Sequence, residues 1–216
     1  MRKVLLKVTK ICMCDCQKCP RLAKFIKGNK ALYPSFFNAP VPSFGDKGGQ
    51  VLVVGLAPGL KGANRTGRPF TGDYAGDLLY ATLQKFGFLE GEYKAAIDDG
   101  IVLKNIRITN AVRCVPPENK VTGEEVRNCN SLLKGEIASM PNLKVIIALG
   151  TVAHNAVLMA MGKRQRDFAF IHAGKHDIGG GVVLIDSYHC SRYNTSTKRL
   201  TTPMFEDVFA MARQAI

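Results

Sequence analysis

Four of the seven cysteines in this sequence fall into two pairs whose spacing suits metal ligands. Cys16 and Cys19 form a Cys-x2-Cys pair followed directly by Pro20, and Cys114 and Cys129 form a wider pair far along the chain. Four thiolates suit either tetrahedral zinc or an iron–sulfur cluster, and Cys followed by Pro recurs in cluster-binding segments. Cys12 and Cys14 crowd the same segment and are alternatives to Cys16, while Cys129 also fits as a small buried apolar side chain on a helix. The expected role of such a centre is structural, a long-range cross-link that holds nearby basic segments in place.

A second group of residues follows the apolar run Val51 to Val54. The turn Gly55-Leu-Ala-Pro-Gly59 lets backbone amides at Gly55, Ala57 and Gly59 approach a polar ligand closely. It lacks both the Gly-Lys-Ser/Thr ending of a nucleotide P-loop and the G-x-G-x-x-G order of a dinucleotide site. Next comes Gly62-Ala-Asn-Arg-Thr-Gly-Arg-Pro-Phe-Thr-Gly-Asp73, which packs Arg65, Arg68, Phe70 and Asp73 among glycines, unusual chemistry for a connector. Near the C-terminus Ser187-Tyr-His-Cys-Ser-Arg-Tyr-Asn194 follows another apolar run, and Asn110 closes the run beginning at Ile106. Ligands of open α/β sheets gather at the carboxyl ends of strands, so these stretches could meet in one crevice.

The elements that must position them are legible as alternating periods. Short β-branched runs at Val51 to Val54, Ile106 to Val112, Val145 to Leu149, Phe168 to Ile171 and Val182 to Ile185 predict buried strands. Helical periodicity runs from Asp77 to Phe86 and from Val152 to Met161, and Thr122 with Glu125 forms a capping-box pattern. A last helix is predicted with Thr202 as N-cap and Pro203 at its first position, its stripe made by Phe205, Val208, Phe209 and Ala212. Gly28 to Gly49, rich in Pro and Gly, reads as a long ordered loop. The fold class is therefore α/β: a single three-layer αβα domain over residues 1–216, with a central, mostly parallel sheet of four to five strands.

Thirty Lys and Arg against 17 Asp and Glu leave a net charge of +13, which favours a polyanionic partner and points to nucleic acid. Lys7 and Lys10 interrupt the N-terminal apolar run before it could serve as a secretory core, and no stretch approaches a membrane span. The composition predicts a cytoplasmic chain whose cysteines are thiols or ligands rather than disulfides.

Taken together, Gly55-Leu-Ala-Pro-Gly59, Asn64-Arg-Thr-Gly-Arg-Pro-Phe-Thr-Gly-Asp73, Thr109-Asn-Ala-Val-Arg-Cys114 and His189-x-Ser191-x-x-Asn194 resemble the motif series of family 5 uracil-DNA glycosylases. Cys16-x2-Cys19-Pro-Arg-Leu and Pro40-Val-Pro-x-Phe-Gly-Asp46 are similar too, and the matches run in order from about Cys16 to Leu200. The resemblance implies a [4Fe–4S] cluster on Cys16, Cys19, Cys114 and Cys129, with zinc the minor alternative. It implies that uracil, with hypoxanthine as a further substrate, is flipped from double- or single-stranded DNA and its glycosidic bond hydrolysed, in a monomer associated with the nucleoid of a prokaryote. Phe70 would stack on the base, Asn110 read its polar edge and His189 stabilise the charge that grows on the departing ring. Ser191 and Asn194 complete the substrate-binding set. Arg65, Arg68, Arg192, Tyr193, Lys198 and Arg199 would face DNA.

Asp73 is the candidate for the acidic role, since Leu56 to Pro58 offers no side chain able to activate water; an Asp after Gly72 is also a natural helix cap. The sequence departs from the family at Cys190 and Arg192, where proline is usual, which predicts a less rigid loop there. His154, His172 and His176 are expected to be structural or solvent-facing. No lysine is placed as a Schiff-base nucleophile, so a hydrolase without lyase action is expected. The alternatives are a catalytically weak iron–sulfur nucleic-acid-binding module of the same fold and, further off, an iron–sulfur electron carrier.

Overall fold

The computed structural model describes residues 16–216, so Cys12 and Cys14 lie outside the described residues. In chain order the first elements are α1 (Pro20–Leu32), β1 (Phe44–Gly45), β2 (Val51–Gly55), α2 (Ala63–Thr66) and α3 (Tyr74–Lys85). They are followed by β3 (Leu89–Glu90), β4 (Val102–Leu103), β5 (Ile106–Asn110), α4 (Gly123–Ala138) and β6 (Val145–Leu149). The chain finishes through α5 (Thr151–Ala160), β7 (Lys175–Asp177), β8 (Val183–Ser187), α6 (Arg192–Ser196) and α7 (Thr202–Gln214).

Six strands form one sheet in the order β1-β5-β2-β6-β8-β7. The four inner strands are parallel and the two edges antiparallel. Burial on both faces requires unbroken apolar runs, and every residue of β2, β5 and β6 is buried. Alternate side chains then feed two cores. Leu52, Val54, Ile146 and Ala148 pack beneath α1, α4 and α5 with Leu22, Val126 and Val157. Val51, Val53, Ile108 and Ile147 pack beneath α3 and α7 with Leu79, Leu83, Phe205 and Phe209. The expected three-layer α/β arrangement follows, and Thr122 and Glu125 form the reciprocal capping box expected of α4.

Several details differ from the sequence reading. The sheet has six strands rather than four or five, because two short edges escape apolar patterning: β7 reads Lys-His-Asp, paired only on one side. Phe168 to Ile171 is not a strand. It follows a turn at Gln165–Asp167, and Phe168 and Phe170 pack edge-on against His176 and His154. The supposed loop from Gly28 begins later, because α1 extends through Leu32 and buries Leu22, Ile26 and Asn29 on one stripe. Thr201, not Thr202, caps α7, accepting from the Met204 amide.

Candidate active site and cysteine centre

The parallel register brings the carboxyl ends of the inner strands level. Gly55 pairs with Asn110 across β2 and β5, and Leu149 with Ser187 across β6 and β8. Above these ends lies a small pocket lined by Ala57, Gly59, Phe70, Asp73, Asn110 and His189. It opens into a broader groove bordered by Lys61, Tyr74, Thr151, Ser191 and Arg192. The three sequence stretches therefore meet in one crevice.

Asn110 ends β5 with its side chain buried, and its Oδ1 has no hydrogen-bond partner among the described residues. A buried, unpaired amide oxygen costs stability unless a ligand completes it. Phe70 is buried with φ of 53°, a left-handed backbone that a bulky side chain adopts only under constraint. Its ring centroid lies 6.0 Å from that of His189. Gly55 allows both groups their places, since a Cβ there would collide with Asn110 Oδ1 and the Phe70 ring.

Asp73 is both a cap and a pocket residue. It is the N-cap of α3, accepting from the Gly76 amide at 3.1 Å through Oδ1. Its Oδ2 lies over Gly62, where any Cβ would strike the carboxylate. Burial raises the Asp73 carboxyl above the usual carboxylate range, against the lowering effect of the Gly76 N–H bond. Burial also pushes His189 down to about 4, so the imidazole is neutral at neutral pH. Such a pocket can accept and donate along a flat polar ring, stack on its face and hold a carboxylate beside a water.

The loop after β8 is braced from behind. Asn194 Nδ2 donates to the His189 carbonyl at 2.8 Å, so the structure uses Asn194 to fix the loop and does not bring it to the pocket. Ser191 lies on the groove and also caps α6, and the buried Cys190 thiol donates to the Ala75 carbonyl.

Of the basic residues expected at the surface, Arg65, Arg192, Lys198 and Arg199 are exposed. Arg192 lies over the Tyr74 ring at the groove edge, and Tyr193 is 73% exposed. Arg68 is a correction. Its guanidinium is buried, held by Asp99 through two contacts of 2.7 Å and surrounded by Phe44, Tyr80 and Tyr93. It has no face to offer a phosphate. Sequence reasoning did not single out Asp99, Tyr93, Lys61 or Tyr74; only Lys61 carried a signal, adjoining the glycine turn.

On the opposite side of the Asn110 segment, Cys16, Cys19, Cys114 and Cys129 line one cavity with Leu22, Val112 and Leu132. Burial, and after it the neighbouring thiols, push Cys114 up to about 12. The Cys114 thiol therefore stays protonated at neutral pH unless a cation replaces its proton. Around the cysteines Arg113 N–H donates to Cys129 Sγ at 3.4 Å and Asn128 to Cys19 Sγ at 3.8 Å. Elsewhere, His154, His176 and Asp186 bring three ligand atoms within 4.8 Å of one another. In that set His154 contacts Asp186 at 2.7 Å and the Phe168 carbonyl at 3.0 Å, and His176 contacts Asp186 at 3.0 Å. Both nitrogens of His154 face acceptors. Against the opposing effect of burial, its bond to Asp186 and that carboxylate's charge hold it above the ordinary histidine value. These contacts tie α5 to the β7–β8 edge of the sheet.

The family model described as the uracil DNA glycosylase superfamily matches residues 42–213. A type-5 uracil-DNA glycosylase of Thermus thermophilus is 41% identical over 204 residues, covering 92% of this chain and 93% of its own. Those of Pyrobaculum aerophilum and Mycobacterium bovis are 39% and 37% identical, each matching 92% of this chain and covering 88% and 77% of their own.

Proposed function

Because this chain belongs to the uracil DNA glycosylase superfamily, in its type-5 branch, we propose that it excises uracil from DNA as a monofunctional glycosylase, leaving an abasic site for repair. The observation that carries the proposal is the convergence of Phe70, Asn110, Asp73 and His189 on one pocket at the strand ends.

In this reading the flipped base lies against Phe70, and Asn110 accepts from N3–H while donating to O4. Cytosine presents the reverse pattern and fits less well. As the bond from the sugar to N1 breaks, negative charge moves onto the ring. A neutral His189 N–H directed at O2 strengthens its hydrogen bond as that charge grows, which favours the transition state over the bound substrate. Asp73 steadies the cationic sugar and orients the attacking water. Its raised pKa matches a group that takes up a proton during the reaction.

The four cysteines would hold a [4Fe–4S] cluster, which supplies a structural cross-link and no part in base removal. Four thiolates also suit one tetrahedral zinc, which is the minor alternative. Four cysteines on one cavity, with Arg113 N–H and Asn128 bonded to two of the sulfurs, are a donor set that fits a cluster ligated by four thiolates. The same reading makes the chain a single domain that acts as a monomer, contacting phosphates through Arg65, Arg192, Lys198 and Arg199. Among the described residues no helix is long and apolar enough to cross a membrane. A cytoplasmic enzyme at the nucleoid, accepting double- or single-stranded DNA and hypoxanthine besides uracil, completes the proposal.

The test is single-turnover incubation with a uracil-containing duplex and an undamaged control, read as strand breaks after alkali. Breaks confined to the uracil position are expected. Tight binding without breaks would make the chain a binding module.

A further inference from the structure

We infer that Tyr93 and Asp99, on the connection between β3 and β4, are positioning residues that hold Phe70 in the pose that meets the flipped base. The inference rests on the reading of Phe70 as the base-stacking side chain.

Phe70 keeps a backbone conformation that its own chemistry disfavours, and such a conformation persists only where the surroundings over-determine it. Every neighbouring residue is tied down. The Tyr80 hydroxyl donates to the Pro69 carbonyl at 2.8 Å, and Arg68 Nε donates to Thr71 Oγ1 at 2.8 Å. Tyr93 Oη sits astride the loop, donating to the Phe70 carbonyl and accepting from the Gly72 N–H, each at 3.3 Å. Its ring stacks on Tyr80 with centroids 4.3 Å apart.

Asp99 supplies the second anchor. Besides both outer nitrogens of Arg68, it accepts from the Lys94 and Ile101 amides at 3.2 and 3.3 Å, so its own loop is folded around the carboxylate. Neither Tyr93 nor Asp99 lines the base pocket. A fully buried ion pair is a poor device for stability alone, because desolvation offsets most of its attraction. What it supplies here is geometry. Bidentate pairing fixes the plane of Arg68, and Arg68 fixes Thr71 on the far side of Phe70.

The discriminating experiment is a double-mutant cycle in single-turnover uracil excision. Tyr93→Phe removes one oxygen and keeps the ring on Tyr80. It should slow excision about 10- to 100-fold, the scale of a small misplacement of a catalytic group, while melting temperature and affinity for an uncleavable uracil duplex are retained. In a Phe70→Ala background the same change should cost less than about twofold, because no ring remains to be placed. Asp99→Asn should repeat the pattern, and if that protein folds poorly the Tyr93 cycle still decides. Equal losses in both backgrounds, or no loss from Tyr93→Phe, would overturn the inference while leaving Phe70 in its role. Excision unchanged by Phe70→Ala would sink the stacking role and this inference with it.

Discussion

The base pocket and the cysteine cavity flank the same short segment, Asn110 to Cys114, yet they are built on opposite principles. The pocket keeps polar atoms buried and unspent, Asn110 Oδ1 foremost, and glycines clear the space around them. Around the cysteines the charged groups are mostly paired. Arg21 pairs with Glu125, and Arg113 and Arg107 both pair with Glu136, leaving Arg113 Nε as the one buried polar atom there without a partner among the described residues; the cavity is lined by the thiols and apolar side chains together with Lys18, Arg113 and Asn128. Unsatisfied hydrogen-bonding capacity marks where a ligand is turned over. Four like soft ligands inside a largely paired shell suit a group that is held rather than turned over.

Breaking the cysteine side should have the largest effect. Cys114→Ser is expected to lose both metal and cooperative folding, whereas Cys190→Ser keeps its metal and folds. The wild type should carry about four irons per chain by metal analysis, as a cluster on four cysteines requires, and stoichiometric zinc would refute the cluster.

Breaking the pocket side should cost rate without costing the fold. Asn caps a helix as well as Asp does, so Asp73→Asn isolates the charge from the cap. Single-turnover excision should fall by about 10²–10⁴. Because burial raises the Asp73 pKa, its ionised form costs stability above that pKa, and the cost is relieved as the pH falls through it. Asp73→Asn should therefore melt no lower than wild type at neutral pH. The wild-type rate should decline on the acid side at a pH above the ordinary carboxylate range, with no inflection near 6.5, because His189 is already neutral there. An acid limb that survives in Asp73→Asn would assign it to another group.

A smaller effect is expected from Asn110→Ala, which should lower the preference for uracil over cytosine by about 10- to 100-fold, the worth of one buried polar contact. An unchanged ratio in matched duplexes would remove Asn110 from base reading. The smallest concerns the surface. Arg65→Ala should reduce the slope of log affinity against log salt by about 0.9, while Arg68→Ala should leave the slope alone and lower the melting temperature.

That last contrast shows where sequence reasoning stops. Strands such as Val145 to Leu149 and the Thr122–Glu125 box announce themselves because their physics is local. The converging motifs were legible because short, chemically unusual stretches each followed a strand. Arg68 was misplaced because its partner Asp99 lies 31 residues away, in a loop without periodicity. A guanidinium looks the same in a sequence whether it faces phosphate or a carboxylate. The polar edge β7 was hidden for a related reason, since one-sided pairing needs no apolar run.

The attachment of α1 bears on how the chain is made. Its neighbourhood joins the molecule through Arg21 to Lys120 and Glu125, Lys18 to Ser131, and Asn128 to the Lys18 carbonyl, partners 99 to 113 residues further along. At a synthesis rate of about 5–20 residues per second, α1 waits roughly 5–20 s for α4 to exist. For most of that interval Cys16 and Cys19 have neither Cys114 nor Cys129 to meet, and Cys129 is the last of the four to arrive. The four cysteines can thus meet only once 129 of the 216 residues exist, after β2 and the strand that carries Asn110 have been made.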